Sequence, residues 1–257
     1  NKRNHERGKG VKLNYPQKES GLYILSREDI ENIAEDVLKE FFPQNLILPK
    51  PLDTAELLED RLGLTVKQKY IGTLNSAVLG LIVMSDEVEI PSYDEMYKPT
   101  VLRETYGTVL INKHLCVREN TARRRYTETH EGAHFILHGE YFKIAANSAA
   151  NRKNNSREFI ACRKVELYRQ KTNNDSDWME WQADSLAAAL LMPGNVFCSF
   201  ARSVMRKYGI TGRHIVNNFY VNKGKVRDII SDIARAFNVS YRAAQIRMLH
   251  LGLITKG

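Results

Sequence analysis

His130-Glu131-Gly132-Ala133-His134 puts two imidazoles and a carboxylate within five residues. On a helix, residues i and i+4 sit one above the other, so both imidazoles can meet one ion at about 2.1 Å. Glu131 then lies ~100° round the helix, beside the ion's open position. A carboxylate there can take a proton from a water that the ion activates and later deliver it to a leaving amine. The pattern alone would arise by chance in roughly one chain in a hundred of this length, so a surface helix bearing two histidines is the plain alternative.

Catalytic zinc takes three protein ligands and leaves a fourth position for water. His138 continues the i, i+4 series, yet eight residues of helix rise about 12 Å, too far for His130 and His138 to share one ion. His138 is therefore expected at the helix end or behind the ligands. The better third ligand is Glu180, at the start of a later helical stretch that runs from Met179 to Met192. Glu180 and Asp184 are again i and i+4, so one carboxylate can bind metal while the other orients a ligating imidazole from outside. Leu186, Ala187, Leu190 and Leu191 on the opposite face would pack this helix, and an exposed acidic pair on an amphipathic helix is the competing explanation.

The elements that must hold these residues are legible in outline. Ser26 followed by Glu28 and Asp29 predicts a capped helix, with Ile30, Ile33, Ala34, Val37, Leu38 and Phe41 on one face and Pro43 beyond its end. A shorter helix is predicted over Leu52 to Leu62. Leu81 to Met84, Val88 to Ile90 and Thr108 to Ile111 are β-prone stretches bounded by Gly80, Asp86, Pro91 and Gly107, which predicts a small sheet. The active-site helix is predicted from Asn120 to His138 with Gly139 as its stop. Asn147 to Ser156 reads as a loop and Phe159 to Tyr168 as a strand. Helices are predicted near Asn195 to Lys207, Lys225 to Phe237 and Tyr241 to Leu251. No internal repeat is visible, which excludes a solenoid.

With 257 residues and 43% hydrophobic content the chain can bury a substantial core. Its longest nearly apolar run, Leu74 to Met84, is far shorter than the ~20 residues that cross a bilayer, and no apolar signal segment opens the sequence. The expectation is a cytoplasmic protein with no membrane partner. Cys116, Cys162 and Cys198 form no CxxC pair, so neither a disulfide framework nor a thiolate zinc finger is expected. The chain begins at Asn1, so residues of the natural gene product are expected to precede it or to have been replaced. The net charge of +8 belongs to the two ends and to Arg152 to Lys171, whereas acids dominate from Arg27 to Lys98. Solvated surface charge and an acidic partner both account for that balance.

The run Tyr126-Thr-Glu-Thr-His-Glu-Gly-Ala-His-Phe-Ile-Leu-His138, together with Glu180-Trp-Gln-Ala-Asp-Ser-Leu-Ala-Ala-Ala-Leu-Leu-Met-Pro193, closely resembles the ImmA/IrrE family of metallo-endopeptidases. The family pairs an H-E-L-G-H-type helix with E-x-x-A-N/D-x-F-A-A-x-L-L-M-P. Asp29 to Ala34 resembles its first helix, Gly107 to Asn112 its strand before the active-site helix, and Phe237 to Ile254 its helical ending. The resemblance implies an α+β fold with a zincin-like core, in which His130, His134 and Glu180 bind Zn2+ and Glu131 is the general base. It further implies a protein substrate, typically a helix-turn-helix repressor of a mobile element or stress regulon. This sequence departs from the pattern in carrying Gly132-Ala133 for Leu-Gly, and in the 45 residues between His134 and Glu180. The insertion around 147–156 would then lie near the cleft.

The domain plan expected is a flexible basic leader over 1–20, a metallopeptidase domain over 21–215 and a helical subdomain over 216–257. Two details follow for a peptidase: the Gly107 to Asn112 strand can pair with an extended substrate if one edge is free, and Tyr126, Tyr168 and Tyr220 are candidate oxyanion donors. The competing class is a regulatory or DNA-binding protein that keeps a metal site without proteolysis. Val239-Ser240-Tyr241-Arg242-Ala243-Ala244 reads like the turn and second helix of a helix-turn-helix, where Arg242 and Arg247 would approach DNA. A component of a toxin and antitoxin pair is a third class, which differs in partner rather than chemistry.

Overall fold

The computed structural model describes residues 13–73, 78–147, 159–162, 174–217 and 223–256, which form a mixed α+β protein. The chain packs as two units, Asn1–Ile30 with Asp53–Ala187, and Glu31–Leu52 with Ala188–Gly257. No single helix among the described residues is long and apolar enough to cross a membrane.

The first unit is built on a four-stranded mixed sheet. Strands β1 (Thr65–Lys69), β2 (Gly80–Val83), β3 (Val88–Tyr93), β4 (Pro99–Glu104), β5 (Thr108–Asn112) and β6 (Phe159–Cys162) appear in chain order. The sheet runs β1-β5-β2-β6, with β1 parallel to β5 and the other pairings antiparallel, while β3 and β4 form a separate hairpin. Every residue of β2 and β5 is buried, which accounts for their unbroken apolar runs. Leu81, Val83 and Leu110 share a core with Ile71, Val78, Val88 and Ile90. At roughly 1.5 to 3 kcal/mol for each large aliphatic side chain removed from water, this cluster is a main support of the sheet. Strands β1 and β4 carry mostly exposed residues and no apolar alternation, so the sequence pattern does not announce them.

β5 is paired on both sides, with β1 and β2 as its neighbours, so it has no free edge for a substrate strand. The expectation that Gly107 to Asn112 would hold a peptide at an open edge is therefore withdrawn.

The capped helix α1 (Arg27–Phe41) opens as its sequence predicts, with Ser26 Oγ accepting from Asp29 N–H at 3.1 Å and Asp29 accepting in return from Ser26 N–H at 2.7 Å. The expected leader is held from Pro16 onward: Ile24 N–H donates to Pro16 O, Gln17 bridges Tyr23, and Lys18 pairs with Asp175 at 2.7 Å. The Leu52 to Leu62 segment closes in a wide helical turn over Glu56–Arg61 that buries Leu57 and Leu58.

Helix α2 spans Thr121–Asn147, eight residues past the stop expected at Gly139. An isolated glycine costs a helix only about 1 kcal/mol. Here Phe142 is buried one turn later and Glu140 pairs with Lys143 at 2.6 Å, which carries the helix through. His138 accordingly lies inside the helix, not at its end. Helix α3 (Asp175–Leu191) buries Met179, Gln182, Ala183, Leu186 and Ala187 along one stripe.

In the second unit, α4 (Gly194–Lys207), α5 (Lys223–Phe237) and α6 (Tyr241–His250) each bury one face, and α4 meets α5 through Phe197 and Phe237, whose ring centres lie 5.4 Å apart. Two short strands, β7 (Ile215–Asn217) and β8 (Ile254–Lys256), pair in parallel. Asn238, at φ +50°, ends α5, and Ser240 caps α6 by accepting from Ala243 N–H at 3.1 Å.

Arg247 does not face outward as a DNA contact. Its guanidinium is buried, grips Glu31 with two nitrogens and donates to Met192 O at 2.9 and 3.0 Å. It therefore ties α1 and the end of α3 to α6. Arg247→Met is expected to lower stability by about 1 to 3 kcal/mol, because the Met192 carbonyl and the half-exposed Glu31 lose their donor. A shift in the urea midpoint at unchanged slope is the measurement, and an unchanged midpoint contradicts it.

Candidate metal centre

From Arg125 to His134 every residue of α2 is buried, so each polar side chain there needs a partner. Thr127 and Thr129 donate back to the Arg123 and Arg125 carbonyls, and Glu128 accepts from Thr54 Oγ1 at 2.6 Å. His130 Nδ1 lies 2.9 Å from Asp184 Oδ1. A carboxylate oxygen accepts, so His130 carries its proton on Nδ1 and turns the Nε2 lone pair away from Asp184. Asp184 is itself fixed, since the Tyr126 hydroxyl donates to its backbone oxygen at 3.1 Å. The Tyr126 hydroxyl is thus turned toward Asp184, while Tyr168 and Tyr220 lie outside the described residues, as do residues 148–156 of the insertion.

The Nε2 lone pair of His130 meets two other donors. His134 Nε2 is 3.0 Å away, Glu180 Oε2 is 3.5 Å away, and Glu180 Oε1 is 3.6 Å from His134 Nε2. Three ligands held at about 2.1 Å from a tetrahedral ion stand about 3.4 Å from one another. His130, His134 and Glu180 therefore form a group close enough to hold one metal ion. Two nitrogens and one carboxylate oxygen make a borderline donor set, and only Glu180 among them keeps some exposure.

Glu131 departs from that pattern. Both of its carboxylate oxygens are buried and have no hydrogen-bond partner. Gly80 of β2 makes room for them, because a Cβ there would meet Thr127 Cγ2 at 2.5 Å and Glu131 Oε1 at 3.0 Å. Burial pushes Glu131 up to about 8, with His130 opposing and Glu180 adding to the rise. Burial also holds His134 well below the usual histidine range and brings His138 down to about 4.

His138 fills the place behind His134, with Nδ1 2.9 Å from His134 Nδ1 and Nε2 3.0 Å from Gln182 Oε1. Gln182 was not singled out from sequence, and Gly80 was read only as a strand boundary, not as part of the site. A buried glutamine in the turn between Glu180 and Asp184 was the available signal for the first, and a glycine opening an apolar strand for the second. Cys116 and Cys198 are free and lie outside the centre. No family model and no curated protein matches the chain.

In metal-stripped protein Glu131 binds its proton more tightly folded than unfolded, so its contribution to stability falls as pH rises from about 4.5 to about 8. His134 and His138, shifted the other way, add stability with rising pH but finish by about 6.5. Between those last two values only Glu131 of the three acts, and stability is expected to drop by about 2 kcal/mol. Glu131→Gln should flatten that interval in urea titrations at several pH values, and an unchanged slope would show that burial does not hold the proton.

Proposed function

We propose that the chain is a zinc-dependent endopeptidase with a zincin-like core, of the ImmA/IrrE kind that its paired motifs resemble. One observation carries the reading: an unpartnered, fully buried carboxylate, Glu131, stands beside three ligand atoms spaced for a single tetrahedral ion. Zinc bound by His130, His134 and Glu180 would supply Lewis acidity toward a water and a scissile carbonyl.

The rest falls to the chain's own groups. Glu131 receives the proton of the attacking water and hands it to the leaving amine. No donor of the chain holds its two oxygens, so both are open to accept that proton. Asp184 holds the His130 ring and supports the imidazole's electron density at the ligand nitrogen. By resemblance the substrate is a protein, typically a helix-turn-helix repressor. The nitrogen and oxygen donor set also admits manganese or iron, and zinc is favoured by the two imidazoles.

The DNA-binding reading has less support. In α6, Ala243, Ala244, Ile246, Arg247 and Met248 are all buried, which leaves Arg242 and His250 as its exposed basic residues.

The test uses purified full-length protein, Glu131→Gln and Glu180→Ala, each assayed for zinc by elemental analysis and for new termini in a proteome-derived peptide library by mass spectrometry. Wild type is expected to hold one zinc and cleave. Glu131→Gln should keep zinc and lose turnover by at least about a hundredfold, the size of a general-base contribution. Glu180→Ala should lose most of its zinc. Cleavage by Glu131→Gln at the wild-type rate, or a full zinc equivalent in Glu180→Ala, contradicts the proposal.

A further inference from the structure

His134 has no carboxylate behind it, unlike His130, yet it can ligate a metal only if its proton sits on Nδ1. The chain of contacts behind it decides where that proton goes. The Tyr23 backbone oxygen accepts from Trp178 Nε1 at 3.1 Å and lies 2.7 Å from the Gln182 side-chain nitrogen. A carbonyl oxygen can only accept, so the Gln182 NH2 group must face it and the Gln182 Oε1 must face His138. That oxygen also only accepts, so His138, 3.0 Å away, carries its proton on Nε2. A neutral ring with its proton there has a lone pair on Nδ1, and His134 Nδ1, at 2.9 Å, must donate to it. What remains on His134 is a lone pair on Nε2, aimed at His130 Nε2 and Glu180.

We infer that His138 and Gln182 are positioning residues that fix His134 in its metal-ligating tautomer, with the Tyr23 carbonyl as the fixed end of the chain. The inference rests on the metal-centre reading of His130, His134 and Glu180. It gives the two ligating histidines different supports: a carboxylate behind His130 and an uncharged chain behind His134. The site thereby gains orientation at both rings while adding only one negative charge behind them. The tautomer is thus set from the Tyr23 carbonyl, through Gln182 and His138.

The experiment uses full-length protein with 15N-labelled histidine, stripped of metal, in which two-bond nitrogen–proton NMR correlations distinguish the two neutral tautomers. Wild type is expected to show His134 protonated on Nδ1 and His138 on Nε2. Gln182→Leu keeps both rings but removes the acceptor, and should populate the other tautomer at His138 and His134. Zinc affinity, measured by competition with a chelator, should fall about ten- to hundredfold in Gln182→Leu and His138→Ala. His138→Asn, whose side-chain oxygen can stand where Nδ1 stood, should recover most of that loss.

Wild-type His134 protonated on Nε2 would overturn the inference, and so would His138→Asn binding zinc as weakly as His138→Ala. A variant that fails to fold is recognised by its NMR dispersion, and the wild-type tautomers then decide alone. If wild type binds no zinc but shows the expected tautomers, the positioning chain stands and the metal reading fails.

Discussion

Three lone-pair donors converge inside the first unit, on His130, His134 and Glu180, and much of the surrounding structure answers to that convergence. Bringing such groups together out of water is costly unless each is oriented by a partner and the set shares a cation. The orientation comes from pairs one helical turn apart. His130 and His134 stack on α2, and Glu180 and Asp184 stack on α3, so two helices present a ligand pair and a ligand-with-support pair to each other. Because both pairs sit on regular helices, their geometry is held by backbone hydrogen bonds rather than by loops.

The same constraint explains the unusual burial of α2. A helix with so many polar residues normally lies at a surface, whereas here Thr127, Glu128, Thr129, His130 and His134 are all buried. Each has a partner, whereas neither carboxylate oxygen of Glu131 has one. The absence of Cβ at Gly80 lets β2 approach Thr127 and Glu131 closely, so the sheet packs directly against the site. An unpaired buried carboxylate is unfavourable for the fold, and such sites are where function and stability commonly conflict.

The parts legible in sequence were those governed by short-range periodicity. His130, Glu131, His134, Glu180 and Asp184 could be placed on helices because spacing of four residues fixes a face, and α4, α5 and α6 followed from their apolar stripes and caps. Strands β1 and β4 escaped notice because exposed strands carry no buried alternation to read. Gly139 misled because local propensity favours a stop there, while burial of Phe142 beyond it is a tertiary effect. Arg247 misled for a related reason: on α6 it looks like a surface cation, and its partners, Glu31 and Met192, are supplied by distant parts of the chain. Gln182 and Gly80 act through a single hydrogen bond and a missing methyl group, neither of which leaves a periodic trace.

Zinc K-edge absorption spectroscopy on the loaded full-length protein reads the convergence directly. Two imidazole nitrogens and at least one carboxylate oxygen, at about 2.0 to 2.2 Å, are the expected inner ligands, with the imidazole signal lost in a His130→Ala, His134→Ala double variant. A spectrum with sulfur at about 2.3 Å, or one that the double variant leaves unchanged, would place the ion elsewhere and contradict the account.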